Sequence, residues 1–323
     1  MTQVENGHPD RPPGRDGRRR RRAEQLMVPD VEFTSYYGRP VIKEPAWGAQ
    51  DVAGYLFLGG LAGASSVLAA GAELSGYGEL ARVAKVGALG AISLSAVALI
   101  HDLGRPERFV NMLRVFKPSS PMSVGSWLLS VYGPAAGAAA VSDVTGVLPA
   151  AGTAATLGAG LLGSAVATYT AALICDTAVP GWHEGHREMP YLFASSASCA
   201  AAGLGLLTLP PAAARPARTL ATLGAPAELV AKRLLLRRLG EVAEPYETGR
   251  PGRLLRAAEL LTVGGLAGAV FGRRNRAVSA LAGASLLAAS ALTRFGVFEA
   301  GMATARDPKY TIIPQRRRRD HGE

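Results

Sequence analysis

Long stretches of this chain carry no charged side chain, among them residues 52–72, 144–175 and 191–214. An α-helix needs about 20 consecutive apolar residues to cross ~30 Å of hydrocarbon. In lipid the backbone must satisfy its own hydrogen bonds, which a helix does within a single segment. The runs therefore predict an all-α integral membrane protein, not one or two soluble domains. Eight spans are expected, near residues 50–72, 80–100, 124–141, 152–174, 191–210, 219–236, 254–271 and 277–293. The sixth is the least apolar, because Glu228, Lys232 and Arg233 interrupt it.

Around this core, residues 1–46 read as a largely disordered Arg- and Pro-rich tail, 47–298 as the membrane domain and 299–323 as a C-terminal tail. The first fifty residues are polar and lack the apolar segment of a secretory signal. An even number of spans places both termini on one side. Of the 35 Lys and Arg, 26 then fall on the side of the termini and 7 in the opposite loops. The positive-inside rule makes the terminal side cytoplasmic, in a multi-pass protein of the cell membrane. The net charge of +10 comes largely from the tails, so it reports topology and not nucleic-acid binding. The pairs Gly59/Gly63 and Gly264/Gly268 have the spacing that lets helices approach closely, and intramolecular packing is the expected use.

All the long polar connections fall on the terminal side. The loop at 101–129 carries His101, Asp102 and Asn111 among Arg105, Arg108, Arg114 and Lys117. Positive-inside anchoring accounts for its cations but not for His101, Asp102 or Asn111. A second junction, 169–190, crowds Asp176, His183, Glu184, His186, Arg187 and Glu188 around Trp182. His-Glu-x-His lacks the i, i+4 histidine spacing of a helical zinc site, so no metal is expected. Histidine can change charge near neutral pH, so these groups suit proton transfer at a membrane edge. A third segment, 294–310, holds Arg294 and Glu299, read as closing the last helix. Within the spans, Glu228 and Glu259 are candidate proton carriers, and Glu228 and Lys232, four residues apart, are expected to pair.

Cys175 and Cys199 cannot supply the four thiolates of an iron–sulfur cluster and read as small buried hydrophobes. The five histidines offer no pair inside facing helices for a bis-histidine haem. Electrons would therefore have to come from another subunit.

The segments 102–127, 169–193, 240–249 (Gly-Glu-Val-Ala-Glu-Pro-Tyr-Glu-Thr-Gly) and 294–315, in this order, resemble the NrfD family, the membrane subunits of polysulfide reductase type. The resemblance implies eight helices in two four-helix bundles, with no prosthetic group in this chain. It implies a quinone, menaquinone among the candidates, held as substrate in the first bundle. Trp47, Gln50, Tyr55 and Tyr169 would line that pocket, Tyr169 as hydrogen-bond donor. His101–Asp102, with Asp176 and His183 nearby, would relay protons. It also implies a ferredoxin-like partner with four iron–sulfur clusters and, beyond it, a molybdopterin catalytic subunit. The expected docking residues are Arg105, Arg108, Asn111, Arg114, Lys117, Trp182, Glu184, Arg187, Arg294 and Glu299. The competing readings are a secondary transporter or proton channel, and a passive anchor without a quinone site.

Overall fold

The computed structural model describes residues 41–45, 47–103 and 107–321, with side chains omitted at 108–110 and 316–321. Most of the expected N-terminal tail and Arg105 lie outside the described residues, as does the side chain of Arg108. All regular structure among the described residues is helical. The long helices are α1 (Ala49–Leu74), α2 (Gly78–Asp102), α4 (Pro121–Thr145), α5 (Pro149–Cys175), α7 (Met189–Thr208), α8 (Arg215–Leu239), α10 (Gly249–Phe271) and α11 (Arg276–Arg306). Short helices α3 (Glu107–Met112), α6 (Pro180–His183) and α9 (Glu244–Glu247) lie in the connections, and α12 (Lys309–His321) follows α11.

Local sequence sets the helix ends. Gly146, at φ 72°, takes the left-handed conformation that stops α4, and its N–H bonds to the Ser142 carbonyl at 2.9 Å. Proline occupies the first turn of α4, α5, α7 and α8, where no intrahelical N–H is lost. Asn275 caps α11 by accepting from the Ala277 and Val278 amides at 2.9 and 3.3 Å. Arg276 closes the end of α7 by donating to the Leu206 and Leu207 carbonyls at 3.0 and 2.5 Å.

Among the described residues, seven helices are long and apolar enough to span a membrane: α1, α2, α4, α5, α7, α10 and α11. The eighth expected span, α8, does not qualify by composition. Helices α1, α2, α4 and α5 pack as a set, α1 and α4 each touching both α2 and α5. Helices α7, α8, α10 and α11 form a similar set, and α1 and α7 link the two. Small residues permit this closeness. Gly63 of α1 and Gly163 of α5 meet backbone to backbone, as do Gly203 of α7 and Gly283 of α11. Of the two GxxxG pairs, only Gly63 and Gly268 make tight approaches, and these are within the chain.

Two expectations about the last helix change. Helix α11 does not stop at 293 but runs 31 residues to Arg306, so residues 299–306 continue it. Arg294 consequently sits in the helix interior. It is tolerated there because the chain supplies its partners, described next.

Candidate functional site

Tyr55 lies on the inner face of α1, two turns from its start. The antiparallel packing of α1 on α5 brings it to Tyr169, and the two hydroxyls are 2.8 Å apart. Tyr55 is buried, whereas Tyr169 is half-buried. Gly125 of α4 lies flat against the Tyr169 ring, where any Cβ would collide with the phenol. Two phenols contain two O–H donors and share one hydrogen bond, so the pair retains one donor for a third group.

One turn toward the terminal side, Asp51 accepts contact from His101: Oδ2 and Nδ1 are 3.0 Å apart. Asp51 and Tyr55 are four residues apart and share a face of α1. The His101 side chain is 77% exposed, so its ring can exchange protons with water. The sequence places His101 beside Asp102. The structure instead gives Asp102 to the Gly48 amide at 3.2 Å. Asp51 was overlooked because nothing in the sequence ties it to a histidine 50 residues away; its only signal was its spacing to Tyr55.

The remaining expected residues scatter around this centre. Gln50 is exposed. Half-buried Trp47 stacks on Trp182, with ring centroids 5.9 Å apart. Trp182, expected at the docking surface, is 0% exposed. It packs on Phe298 and donates from Nε1 to the Val297 carbonyl at 3.0 Å, so it anchors α6 to α11. Asp176 caps the end of α5 and is exposed. His183 is exposed, and its Nδ1 lies 3.2 Å from the Cys175 carbonyl. Glu184 is half-buried, and its carbonyl accepts from Arg238 at 2.8 Å. Asn111, Arg114, Lys117 and Arg187 are exposed. Between Arg114 and Lys117, Val115 and Phe116 are 69% and 56% exposed, an apolar tip flanked by cations.

Arg294, also expected at the docking surface, is 0% exposed. Its Nη2 donates to the Phe193 carbonyl at 2.7 Å and its Nε to the Leu56 carbonyl at 3.4 Å. Its guanidinium lies 3.7 Å over the Phe193 ring, a cation–π contact. It thus ties α11 to both α7 and α1. Glu228 is buried and accepts from Thr293 at 2.9 Å. Its expected partner Lys232 turns instead to Glu259, at 2.8 Å, and to the Leu255 carbonyl at 2.9 Å. Glu228 and Lys232 point to different neighbours because α8 is packed on both sides, by α7 and by α10. Glu299 pairs with Arg250 at 3.3 Å.

On the terminal side, α12 is latched over the 240–249 segment. Glu244 accepts from Lys309 at 2.9 Å and from Tyr310 at 3.1 Å. The Lys309 hydrogen bond holds the Glu244 carboxyl below its ordinary range, and the same bond raises the ammonium. Tyr246 reaches from this segment to the Gly181 carbonyl at 2.7 Å, and burial raises its phenol. Helices α6, α9 and α12, from distant parts of the sequence, thereby meet.

No group of three or more His, Cys, Asp or Glu side chains able to hold a metal occurs among the described residues. Cys175 and Cys199 are buried free thiols. Compared with curated proteins, the chain matches none. Residues 42–136, which hold α1, α2, α3, the first part of α4 and the Asp51–His101 contact, match the family model described as polysulphide reductase, NrfD.

Proposed function

We propose that this chain is the quinone-reacting membrane subunit of a multi-subunit oxidoreductase. The observation that carries the reading is the Tyr55–Tyr169 hydroxyl pair, with its one uncommitted O–H, one helical turn from an Asp51–His101 contact open to water. A quinone carbonyl needs a hydrogen-bond donor, and its reduction needs protons delivered to the same oxygen. Half-buried Tyr169 offers the donor toward the lipid, and buried Tyr55 holds it in orientation. Protons move between water and the phenol pair through His101 and Asp51 along the inner face of α1, inward when a quinone is reduced and outward when a quinol is oxidised. The buried Glu228 and the Lys232–Glu259 pair lie in the other helix set and form a separate candidate path.

Helix α8 is the eighth crossing. Its 25 residues rise about 37 Å. Two of its ionisable groups, Glu228 and Lys232, are met by partners on α11 and α10, as membrane-embedded charges require. With it, the two helix sets become two four-helix bundles, each a closed up-and-down ring. Both termini and the elaborated connections share one face, cytoplasmic by the charge asymmetry. The partner is a ferredoxin-like iron–sulfur protein, itself bound to a molybdopterin catalytic subunit. It docks on this face, where Arg114 and Lys117 flank the Val115–Phe116 tip. An apolar anchor inside a cationic rim is the arrangement expected of a docking hot spot.

The assay is menaquinol oxidation by the purified complex, together with binding of a menaquinone analogue to this chain. Tyr169→Phe is expected to weaken analogue binding about three- to tenfold, the effect of one lost hydrogen bond. Asp51→Asn is expected to leave binding intact and to lower turnover by about a hundredfold, as loss of a proton carrier does. Unchanged turnover in both variants would overturn the assignment of the site.

A further inference from the structure

The face opposite the termini carries four arginines in one cleft of about 810 Å³. Arg215 and Arg218 come from the start of α8, and Arg273 and Arg274 from the turn between α10 and α11. Residues 209–222 and 270–276, which build its walls, contain no Asp or Glu. Other cations on this face already have partners. Arg82 and Lys85 pair with Asp143, Lys85 also pairs with Glu73, and Arg276 caps α7. None of the four cleft arginines makes an ion pair among the described residues.

Arg218 is the centre of the cleft. It is 8% exposed, and its Nη1 donates to the Pro211 carbonyl at 3.2 Å. Its Nε and Nη2 are enclosed and have no partner. Those two nitrogens form one edge of the guanidinium, the edge that grips a phosphate or carboxylate with two parallel hydrogen bonds. A guanidinium does not shed its proton to escape burial. An enclosed, unpaired charge is costly, and three like charges beside it raise that cost further. An anion removes both penalties.

The position selects the anion. The cleft sits where α7 and α10 end and α11 begins, the position at which spanning helices of this length meet lipid headgroups. Just inside it, Leu223 and Phe271 are 67% and 86% exposed, an apolar surface suited to acyl chains and not to a free ion in water. We propose that this cleft binds the phosphate of an anionic phospholipid, with Arg218 as the two-pronged anchor and Arg215, Arg273 and Arg274 as the surrounding charge.

The test uses the delipidated full-length chain in detergent, titrated with phosphatidylglycerol, phosphatidylcholine or inorganic phosphate. Binding is read by native mass spectrometry and by melting temperature. Phosphatidylglycerol is expected to be retained and to raise the melting temperature, and phosphatidylcholine to do neither. Arg273→Ser with Arg274→Ser changes only exposed residues and is expected to weaken phosphatidylglycerol at least about tenfold. Arg253→Ser with Arg256→Ser, exposed on the far side, is expected to leave it unchanged. Arg218→Lys keeps the charge and loses the fork; it should also lose the preference for phosphatidylglycerol while melting like the lipid-free parent. Equal binding of both lipids, or an unaffected Arg273/Arg274 double variant, would overturn the proposal. So would inorganic phosphate stabilising as well as the lipid, because the site would then be one for a soluble anion.

Discussion

Replacing Arg294 with Met is expected to destabilise the detergent-solubilised protein by about 3–5 kcal/mol, the usual effect of removing one member of a buried charged network. The substitution keeps much of the volume but deletes four interactions together. The Phe193 and Leu56 carbonyls lose their donor, the cation–π contact disappears, and Glu228 loses the attraction of a buried cation. Because these contacts reach α7 and α1 from α11, the loss should appear as separation of the two helix sets. Arg294→Lys restores the charge but not the fork and is expected to recover only part of the stability. Thermal unfolding of Arg294→Met, Glu228→Gln and the double variant closes a mutant cycle. A double variant less damaged than the two single losses together would identify Glu228 and Arg294 as one coupled unit. Strict additivity would show that they act independently.

Gly63→Val is expected to be the most damaging small substitution in the first helix set. A Cβ at position 63 lands on the Gly163 carbonyl, which is backbone and cannot rotate away. Overpacking typically costs about 1–3 kcal/mol, and a backbone-to-backbone contact belongs at the upper end. The functional effect should be larger than the structural one. Helices α1 and α5 must separate to admit the side chain, and the 2.8 Å Tyr55–Tyr169 bond spans that same interface. Gly71→Ala is the matched control. It lies eight residues further along α1, with nothing within 4 Å of an added Cβ. That change is expected to stabilise the helix by about 0.5–1 kcal/mol. Melting temperature and quinone-analogue binding measured on both variants separate a packing effect from a general effect of losing glycine.

Legibility from sequence followed the range of the interactions. Charge-free runs located the long helices to within a few residues, because hydrocarbon imposes length and polarity on each segment separately. The largest boundary error was at α11, where a buried Arg294 was read as a terminus. A charge normally ends a span, and it fails to do so only when remote carbonyls and an aromatic face receive it. The same limit affected Trp182. Tryptophan at a membrane edge suits an interface, but here Val297, Phe298 and Trp47 enclose it.

The pairings were the least legible part. Glu228 and Lys232 have ideal spacing for a helical pair, yet each has a better partner on another helix. His101 was assigned to its neighbour Asp102, yet it meets Asp51. Tyr55 and Tyr169 are 114 residues apart, and no local pattern announces their contact.

By itself, the sequence determined which segments are helical and apolar, and where glycine and proline end them. These properties depend on each residue's own chemistry and its few neighbours along the chain. Only the tertiary structure decided which buried charge has a partner, which phenols share a proton, and which arginines are left without an acid. Those outcomes depend on how closely two backbones approach, and that is set at Gly63, Gly163, Gly203 and Gly283 by the absence of a side chain.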